Sequence, residues 1–375
     1  MDKPFSLYLH IPFCQRKCAY CSFYSAAANE IQINAYSKSL QREIKKWGGR
    51  TDRPIDTIYF GGGTPSVLSI QTVKEIINSV YNSFKVKKDC EITFEVNPNS
   101  VDKEYLSALK QLGVNRLSIG IQTGDDDLLN LLGRKHSVMD SIECFNNARS
   151  VGFDNISVDL MLCIPNSTTE QTIKSLELLK QLNPEHISAY MLILEENTVF
   201  YKKQNELDFL SEQAEADEYM LVCDFLKNIG YKHYEISNFC KENKESKHNT
   251  RYWLCEEYLG LGPSAYSYFE GKRFHFERDL KGFINQANTV FDEEGGSLEE
   301  YIMLALRLSK GLVKAELENK YGKTFSKSFI KRAEMLKEVG LINFSENGIS
   351  LTEKGMLISN GIITEFTSED FYENV

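Results

Sequence analysis

The chain has 375 residues, of which 42% are hydrophobic and 26% charged, and its formal net charge is -10. Such a chain can bury a large core and form one large domain with one or two smaller ones. The acidic balance disfavours a sequence-independent nucleic-acid interface, which needs a basic face to neutralise phosphates. No apolar run reaches the roughly 18 residues of a membrane span, and the N-terminus lacks the pattern of a signal peptide, so we expect a cytoplasmic protein.

Six β-rich runs separated by helical patterns predict repeated βα units in the first half of the chain. The predicted strands are Phe5–Ile11, Asp56–Gly62, Glu91–Asn97, Asn115–Gln122, Asp154–Met161 and His186–Ile193. Helical periodicity fills several gaps, at Ile70–Phe84, Lys103–Gly113 and Thr169–Leu182. This order predicts an α/β fold in which parallel strands close, or nearly close, into a barrel; an open doubly wound sheet is the alternative.

The character of the sequence changes after Glu195. A polar helical segment precedes an aromatic-rich stretch, and beyond Ser297 helical patterns lead into "INFSENGISLTEKG", where two apolar runs flank an Asn-Gly turn. Helices followed by such a hairpin are typical of a winged helix. Because this segment has no strong basic excess, packing or partner docking is favoured over DNA binding. We predict three units, over residues 1–195, 196–296 and 297–375.

Nine cysteines, an odd number, argue against a disulfide framework and favour metal or redox chemistry. Cys14, Cys18 and Cys21 form C-x3-C-x2-C just after the first predicted strand. A zinc site there would need a fourth ligand such as His10. A 4Fe-4S cluster held by three thiolates instead leaves one iron open to another ligand. The scattered cysteines are predicted to be buried apolar residues, namely Cys90, Cys144, Cys163, Cys223, Cys240 and Cys255.

Glycine-rich and polar residues follow the other predicted strands, where parallel βα barrels carry their chemistry. "GGGTP", over Gly61–Pro65, either brings backbone groups close to a ligand or forms a tight strand-to-helix turn. Glu95, Gln122, Arg134 and Asp159 lie at or just beyond successive strand ends. Each alone is more often structural, but together they supply carboxylates for hydroxyl groups and a cation for a carboxylate.

The cysteine loop, with Tyr20 before its third cysteine, resembles that of the radical S-adenosylmethionine (SAM) superfamily. There, SAM binds the open iron through its amino and carboxylate groups, and one electron from the cluster cleaves it to methionine and a 5'-deoxyadenosyl radical. Over nearly the whole chain, "YLHIPFCQRKCAYCSF", "GGGTPS", "FEVNP", "SIGIQ", "LGRKH", "VDLM" and "HNTRYW" resemble the oxygen-independent coproporphyrinogen III oxidase family, particularly its heme-chaperone branch. The resemblance implies a partial, TIM-like (β/α)6 barrel followed by a smaller helical, winged-helix-like domain.

The resemblance also implies which residues hold the cofactors. Cys14, Cys18 and Cys21 would bind the [4Fe-4S] cluster. The implied SAM contacts are Tyr8, Tyr20, Gly62, Gly63, Thr64, Glu95, Gln122, Arg134 and Asp159, with a further contact near Ile193. His248 in "HNTRYW" is the candidate axial ligand of heme, because neutral imidazole binds heme iron. The same stretch could instead be a polar loop leading into a core helix. Other candidate heme ligands stay open, namely His10, His186, His233 and His275.

Two features distinguish the branches of this family. The cysteine loop of the oxidases resembles C-x3-C-x2-C-x-C, with a further cysteine two places after the third. In this chain that place is Phe23. They also carry an N-terminal extension, whereas the first predicted strand begins almost at the start of this sequence. Both features favour a heme carrier over a coproporphyrinogen oxidase or another porphyrin-modifying enzyme. A zinc-stabilised binding protein is the third alternative.

The heme-carrier interpretation implies heme, an acceptor apo-hemoprotein and a one-electron donor such as flavodoxin or ferredoxin as partners, and no nucleic acid. It leaves open whether SAM is cleaved, whether the protein forms a homodimer, and whether an acceptor brings it into peripheral contact with a membrane. One departure from the family stands out. Relatives read "DLMYGLP" where this chain reads "DLMLCIP", so Cys163 replaces a glycine and the backbone after the fifth strand could differ.

Overall fold

The protein is described by a computed structural model that covers residues 3–27 and 29–375. Its first half alternates strands and helices: β1 Phe5–Ile11, α1 Glu30–Gly48, β2 Pro54–Gly62, α2 Ile70–Ser83, β3 Lys85–Val96, α3 Lys103–Gln111, β4 Arg116–Gln122, α4 Asp126–Leu132, α5 Val138–Ser150, β5 Ile156–Leu162, α6 Thr169–Leu182 and β6 His186–Met191. All six predicted strands and all three predicted helices are present. The largest difference is in β3, which begins at Lys85 rather than Glu91.

The middle of the chain adds α7 Val199–Lys202, α8 Glu212–Asn228, β7 Lys232–Glu235, β8 Asn238–Cys240, α9 Lys247–Trp253, β9 Tyr258–Leu261, β10 Tyr266–Phe269, β11 Lys272–Phe276, α10 Leu280–Gln286 and β12 Thr289–Glu294. The final part contains α11 Leu298–Ala305, β13 Leu312–Val313, α12 Lys314–Tyr321, β14 Lys323–Phe325, α13 Lys327–Glu338, β15 Ile342–Ser345, β16 Gly348–Leu351, α14 Glu353–Leu357, α15 Ser359–Phe366 and β17 Tyr372–Asn374. The predicted hairpin is the antiparallel pair β15 and β16, which β13 extends into a three-stranded sheet. Helices with this small sheet give the winged-helix-like arrangement.

Strands β1 to β6 are parallel and lie side by side in chain order. A doubly wound sheet reverses its strand order at a switch point, whereas consecutive order is that of a βα barrel. On their outer sides β1 pairs with β9 and β6 pairs with β8, so the sheet continues at both edges. The fold is therefore a partial (β/α)6 barrel, and the doubly wound alternative is excluded.

Local sequence explains where the barrel helices begin. Asn29, Ser69, Ser137 and Thr168 each accept a hydrogen bond from a backbone N–H in the first turn of the helix that follows. These caps satisfy donors that the helix itself cannot. Every residue of β4 is buried, as expected for a parallel strand covered on both faces. The helices thus start where the strand-end loops finish, which leaves those loops at one end of the barrel.

All nine cysteines are free thiols. The six scattered cysteines are buried, as predicted, whereas Cys14, Cys18 and Cys21 are partly exposed. Within the described ranges, no helix has the length and apolar character needed to cross a membrane.

Candidate functional site

The cysteine loop lies at the carboxyl end of β1 and is tied to the end of helix α4. The Ala19 N–H donates to the carbonyl of Leu132 at 3.0 Å. Burial raises the pKa of the Cys21 thiol, and the charges of Cys18 and Cys14 raise it further. The turn also holds two of the cysteines together, because the Cys21 N–H donates to the Cys18 carbonyl at 3.3 Å. This is the neighbourhood that thiolates of a shared inorganic centre require.

The glycine triplet lets the end of β2 pack directly on the cysteine loop. Gly62 has φ +109°, and a Cβ there would lie 2.7 Å from the His10 ring. A Cβ on Gly63 would lie 2.6 Å from the carbonyl oxygen of Phe13. The Thr64 N–H donates to that same oxygen at 2.7 Å. Close packing thus already requires these glycines, and their contact with a ligand stays a prediction.

A hydrogen-bonded chain joins four of the predicted residues at this end of the barrel. Arg134 donates from Nη2 to the Tyr20 hydroxyl and from Nη1 to Asn97 Oδ1, both at 2.8 Å. Asn97 Nδ2 donates to Thr64 Oγ1 at 3.1 Å, and the Thr64 hydroxyl lies 3.5 Å from Cys14 Sγ. Asn97 belongs to the "FEVNP" motif, but sequence reasoning did not single it out. Asn97 connects the Arg134 guanidinium, through Thr64, to Cys14 in the cysteine loop.

Two carboxyl groups, Glu95 and Asp159, lie mostly buried inside the barrel. The Tyr59 hydroxyl donates to Glu95 Oε1 at 2.8 Å, and the Ser118 hydroxyl donates to Asp159 Oδ1 at 3.1 Å. Burial raises the pKa of Glu95 to about 7 and also raises the pKa of Asp159, while the nearby Arg116 guanidinium lowers both. These buried oxygens can accept hydrogen bonds from ligand hydroxyl or ammonium groups.

The remaining predicted contacts divide into buried and exposed residues. Gln122 is buried at φ +73°, and its Oε1 accepts a hydrogen bond from the Tyr190 hydroxyl at 2.7 Å. The Tyr8 hydroxyl lies 3.1 Å from His10 Nδ1. By contrast, 72% of Ile193 is exposed, just beyond the end of β6. The structure does not place Ile193 in the buried group.

His248 lies at the opposite, amino-terminal end of the barrel, on helix α9. It is 1% exposed, and its backbone N–H donates to Glu91 near the middle of β3. Its Nδ1 is 2.8 Å from Thr57 Oγ1 and its Nε2 is 2.7 Å from the Tyr252 hydroxyl. Its ring centroid is 5.0 Å from that of Tyr59. Burial lowers the pKa of His248 to about 3. Heme ligation by His248 would therefore require one of these buried hydrogen bonds to break.

The alternative histidines also have partners. His10 and His186 are buried, and His186 lies between the hydroxyls of Ser157 and Tyr234, 2.8 Å from each. His233 stacks on Phe239, with ring centroids 4.1 Å apart. The fourth candidate is His275 on β11, which is partly exposed and 2.8 Å from Asp292. The geometry thus leaves the heme ligand unassigned.

Comparison with known proteins identifies the family. The model of the radical SAM superfamily matches residues 8–179, and that of the HemN C-terminal domain matches residues 297–358. A Bacillus subtilis protein named heme chaperone HemW is 36% identical, over 97% of this chain and 99% of its own length. The chain belongs to the HemW family of radical SAM proteins. A HemW from Lactococcus lactis is 34% identical over 99% of each chain.

The structural comparison agrees on the fold. The coproporphyrinogen III oxidase HemN from Escherichia coli superposes with a TM-score of 0.84, over 98% of this chain and 91% of its own. At 24% identity this likeness shows the architecture alone. This chain and HemN therefore share a barrel with a C-terminal module, and the choice between carrier and oxidase depends on other evidence.

Radical SAM membership implies a [4Fe-4S] cluster and SAM as cofactors, and the residues at the carboxyl end fit them. Among the residues the structure describes, no three His, Cys, Asp or Glu side chains converge on a single ion. A cluster binds each thiolate at a different iron, so its ligands are spaced more widely. Arg134 Nε is buried without a partner among the same residues. A reduced cluster with SAM bound would supply a 5'-deoxyadenosyl radical at this end of the barrel.

Proposed function

We propose that this protein is a heme chaperone, which binds heme and a [4Fe-4S] cluster with SAM and transfers the heme to acceptor hemoproteins. The observation that carries this proposal is the end-to-end similarity to relatives named heme chaperone, at 36% identity over 97% of this chain. Phe23 also supports it, because the oxidase pattern has a further cysteine at that position. The phenylalanine there is 67% exposed.

In this proposal the carboxyl end of the barrel holds the cofactors. Cys14, Cys18 and Cys21 each bind one iron. Arg134 binds the carboxylate of SAM, since its guanidinium keeps its charge and is held beside the cysteine loop by hydrogen bonds to Tyr20 and Asn97. The remaining proposed SAM contacts are Tyr8, Tyr20, Gly62, Gly63, Thr64, Glu95, Gln122 and Asp159, with Ile193 at the rim.

The proposal extends to partners and location. A one-electron donor of the flavodoxin or ferredoxin class would reach the cluster through the partly exposed cysteine loop. Nine free cysteines support a reducing compartment, the cytoplasm. Homodimer formation and a peripheral membrane contact through the acceptor belong to the same proposal. Sedimentation of the protein alone tests the first, and sedimentation with lipid vesicles, with and without the acceptor in them, tests the second.

The decisive experiment gives the anaerobically reconstituted protein two substrates in parallel. With ferric heme we expect a saturable Soret band, followed by transfer of that band to an apo-hemoprotein. With coproporphyrinogen, SAM and a reductant we expect no protoporphyrinogen. Turnover of coproporphyrinogen without heme transfer would make the protein an oxidase and contradict the proposal.

A further inference from the structure

Asn97 lies between two of the proposed cofactor contacts and bonds to both. It follows β3 in the "FEVNP" motif, and its side-chain amide meets Arg134 on one side and Thr64 on the other. Arg134 is the proposed partner of the SAM carboxylate, whereas the Thr64 hydroxyl reaches Cys14, a proposed cluster ligand. Among the residues that the structure describes, the Asn97 side chain alone bonds to both Arg134 and Thr64.

These hydrogen bonds fix the direction in which the Asn97 amide points. Arginine has no acceptor, so the Asn97 atom that meets the guanidinium must be the carbonyl oxygen. The NH2 group therefore faces Thr64 and donates to its Oγ1 at 3.1 Å. Because Thr64 Oγ1 accepts this bond, its own hydrogen can point at Cys14 Sγ, 3.5 Å away. Each bond in the series thus donates toward the cysteine loop.

The main chain at Asn97 is held as well as the side chain. The Asn97 N–H donates to Ser66 Oγ at 3.4 Å, and its carbonyl accepts from the N–H of Ser100 at 3.0 Å and from its hydroxyl at 2.7 Å. Pro98 follows directly and restricts Asn97 to the extended backbone region that it occupies, with φ -92° and ψ 137°. The amide therefore has little freedom left to lose when a ligand binds.

The bonding partners of Arg134 are neutral and leave its charge for a ligand. The guanidinium donates to the amide oxygen of Asn97 and to the hydroxyl of Tyr20, each at 2.8 Å. Its Nε is buried and has no partner in the described part of the chain. A planar guanidinium held at one nitrogen can still turn, whereas bonds to two nitrogens fix its plane. Asn97 supplies the second of these bonds.

We propose that Asn97 is a positioning residue for both cofactors: its Oδ1 aims Arg134 at the SAM carboxylate, and its Nδ2 turns the Thr64 hydroxyl toward the Cys14 thiolate. This inference rests on the proposed cofactor contacts and adds a residue that acts through two of them. Carboxylates bind guanidinium groups best in a shared plane. A hydrogen bond to a cluster thiolate favours the reduced cluster, because it stabilises the added negative charge. Asn97 therefore acts on SAM affinity through one neighbour and on the reduction potential through the other.

The test uses the full-length protein with its cluster reconstituted anaerobically. In Asn97→Ala we expect SAM to bind about tenfold more weakly by calorimetry, a loss typical of one hydrogen bond to a charged group. A redox titration followed by electron paramagnetic resonance should show a more negative cluster potential. Asn99→Ala is the matched control, because Asn99 is exposed and its side chain has no hydrogen bond among the described residues. That variant should keep the wild-type affinity and potential.

Two double variants separate the two sides of the amide. Adding Asn97→Ala to Arg134→Gln should weaken SAM binding by less than about twofold, because the residue through which Asn97 acts is already lost. The same addition should still shift the potential. Adding Asn97→Ala to Thr64→Val should leave the potential where Thr64→Val alone puts it, and should still weaken SAM binding.

Three results would overturn the positioning role. Additive losses in either double variant would show that Asn97 does not act through that neighbour. Equal effects of Asn97→Ala and Asn99→Ala would show that the hydrogen bonds do not matter. Loss of iron in Asn97→Ala would make Asn97 a structural residue. A wild-type protein that holds its cluster but binds no SAM would instead overturn the cofactor part of the proposed function.

Discussion

The two ends of the barrel are built differently. At the carboxyl end Glu95 on β3, Asp159 on β5 and Arg134 after α4 come together, and among the described residues Arg134 Nε has no partner. At the amino-terminal end helix α9 closes the interior, and both ring nitrogens of His248 already have hydroxyl partners. One end collects polar side chains from successive strands, whereas the other is sealed by a helix.

This difference teaches that residue type alone does not identify a ligand. Histidine is a good heme ligand in general, yet its availability depends on what its nitrogens contact. The carboxyl end collects residues from successive loops, which can vary without disturbing the strands. The amino-terminal end depends on a helix from much later in the chain. Changes at the two ends should therefore fail in different ways: loss of cofactor at one, loss of stability at the other.

The largest effect is expected at the carboxyl end. Cys18→Ala removes one of only three thiolate ligands, so the anaerobically reconstituted variant should lose most of its iron and its brown colour. Iron and sulfide analysis measures this. Cys144→Ala, which changes a buried cysteine on α5, is the control and should keep its four irons per chain. Equal iron in the two variants would refute the cluster assignment.

At the amino-terminal end the expected effect is on folding. His248→Ala leaves the Tyr252 hydroxyl without a partner, leaves the Thr57 hydroxyl with Ser6 alone, and opens a cavity beside Tyr59, so we expect the free energy of unfolding to fall by about 4 kcal/mol. His248→Gln, which can restore one hydrogen bond, should recover part of this loss. Urea denaturation of the cofactor-free proteins measures both. A variant as stable as wild type would show that His248 does not secure this end.

Much of the barrel could be predicted from the sequence because parallel strands with covered faces are apolar throughout, as in β4. Helix α6, at Thr169–Leu182, has the predicted bounds because Thr168 caps it and Asn183 ends it in a left-handed conformation. The start of β3 was missed because four of its first five residues are charged and exposed, with the partly buried Val86 between them. Pairing of Lys85 and Val86 with β2, rather than burial, begins the strand there.

For the site residues, too, the sequence predicts what the strand order brings together but does not predict side-chain contacts between distant segments. Residues at strand ends could be predicted to meet, because the topology alone brings the carboxyl ends of parallel strands together. Asn97 was missed because its role depends on the side-chain positions of Arg134 and Thr64, which no sequence pattern reports. The burial of His248 depends on how α9 packs against β2, a contact between residues 191 positions apart in the chain. That contact could not be inferred from the motif.

Glu95 gives a smaller, pH-dependent effect at the carboxyl end. Burial raises its pKa to about 7, from an ordinary value near 4.5, with Tyr59, Asp159 and Arg116 as its other neighbours. A raised pKa means that the stability from the neutral carboxyl is present below pH 4.5 and is lost as the pH rises through 7. The wild type should therefore lose about 3 kcal/mol relative to Glu95→Gln over that range.

Cofactor-free protein is used for this comparison, so that ligands do not contribute. Glu104→Gln, on the exposed side of α3, is the control and should show no such difference. A pH-independent gap between wild type and Glu95→Gln would show that the carboxyl does not titrate in this window.

The smallest effect concerns Cys163, the departure from the family pattern in the loop after β5. It adopts φ +57°, a left-handed conformation that glycine reaches without strain. Cys163→Gly and Cys163→Ala both remove the thiol, so the difference between them isolates the backbone. We expect the glycine variant to be more stable than the alanine variant by about 1 kcal/mol. At Cys144, inside α5, the order should reverse, because alanine favours a helix over glycine. The same order at both positions would mean that the backbone after β5 relaxes away from the left-handed conformation when the thiol is removed.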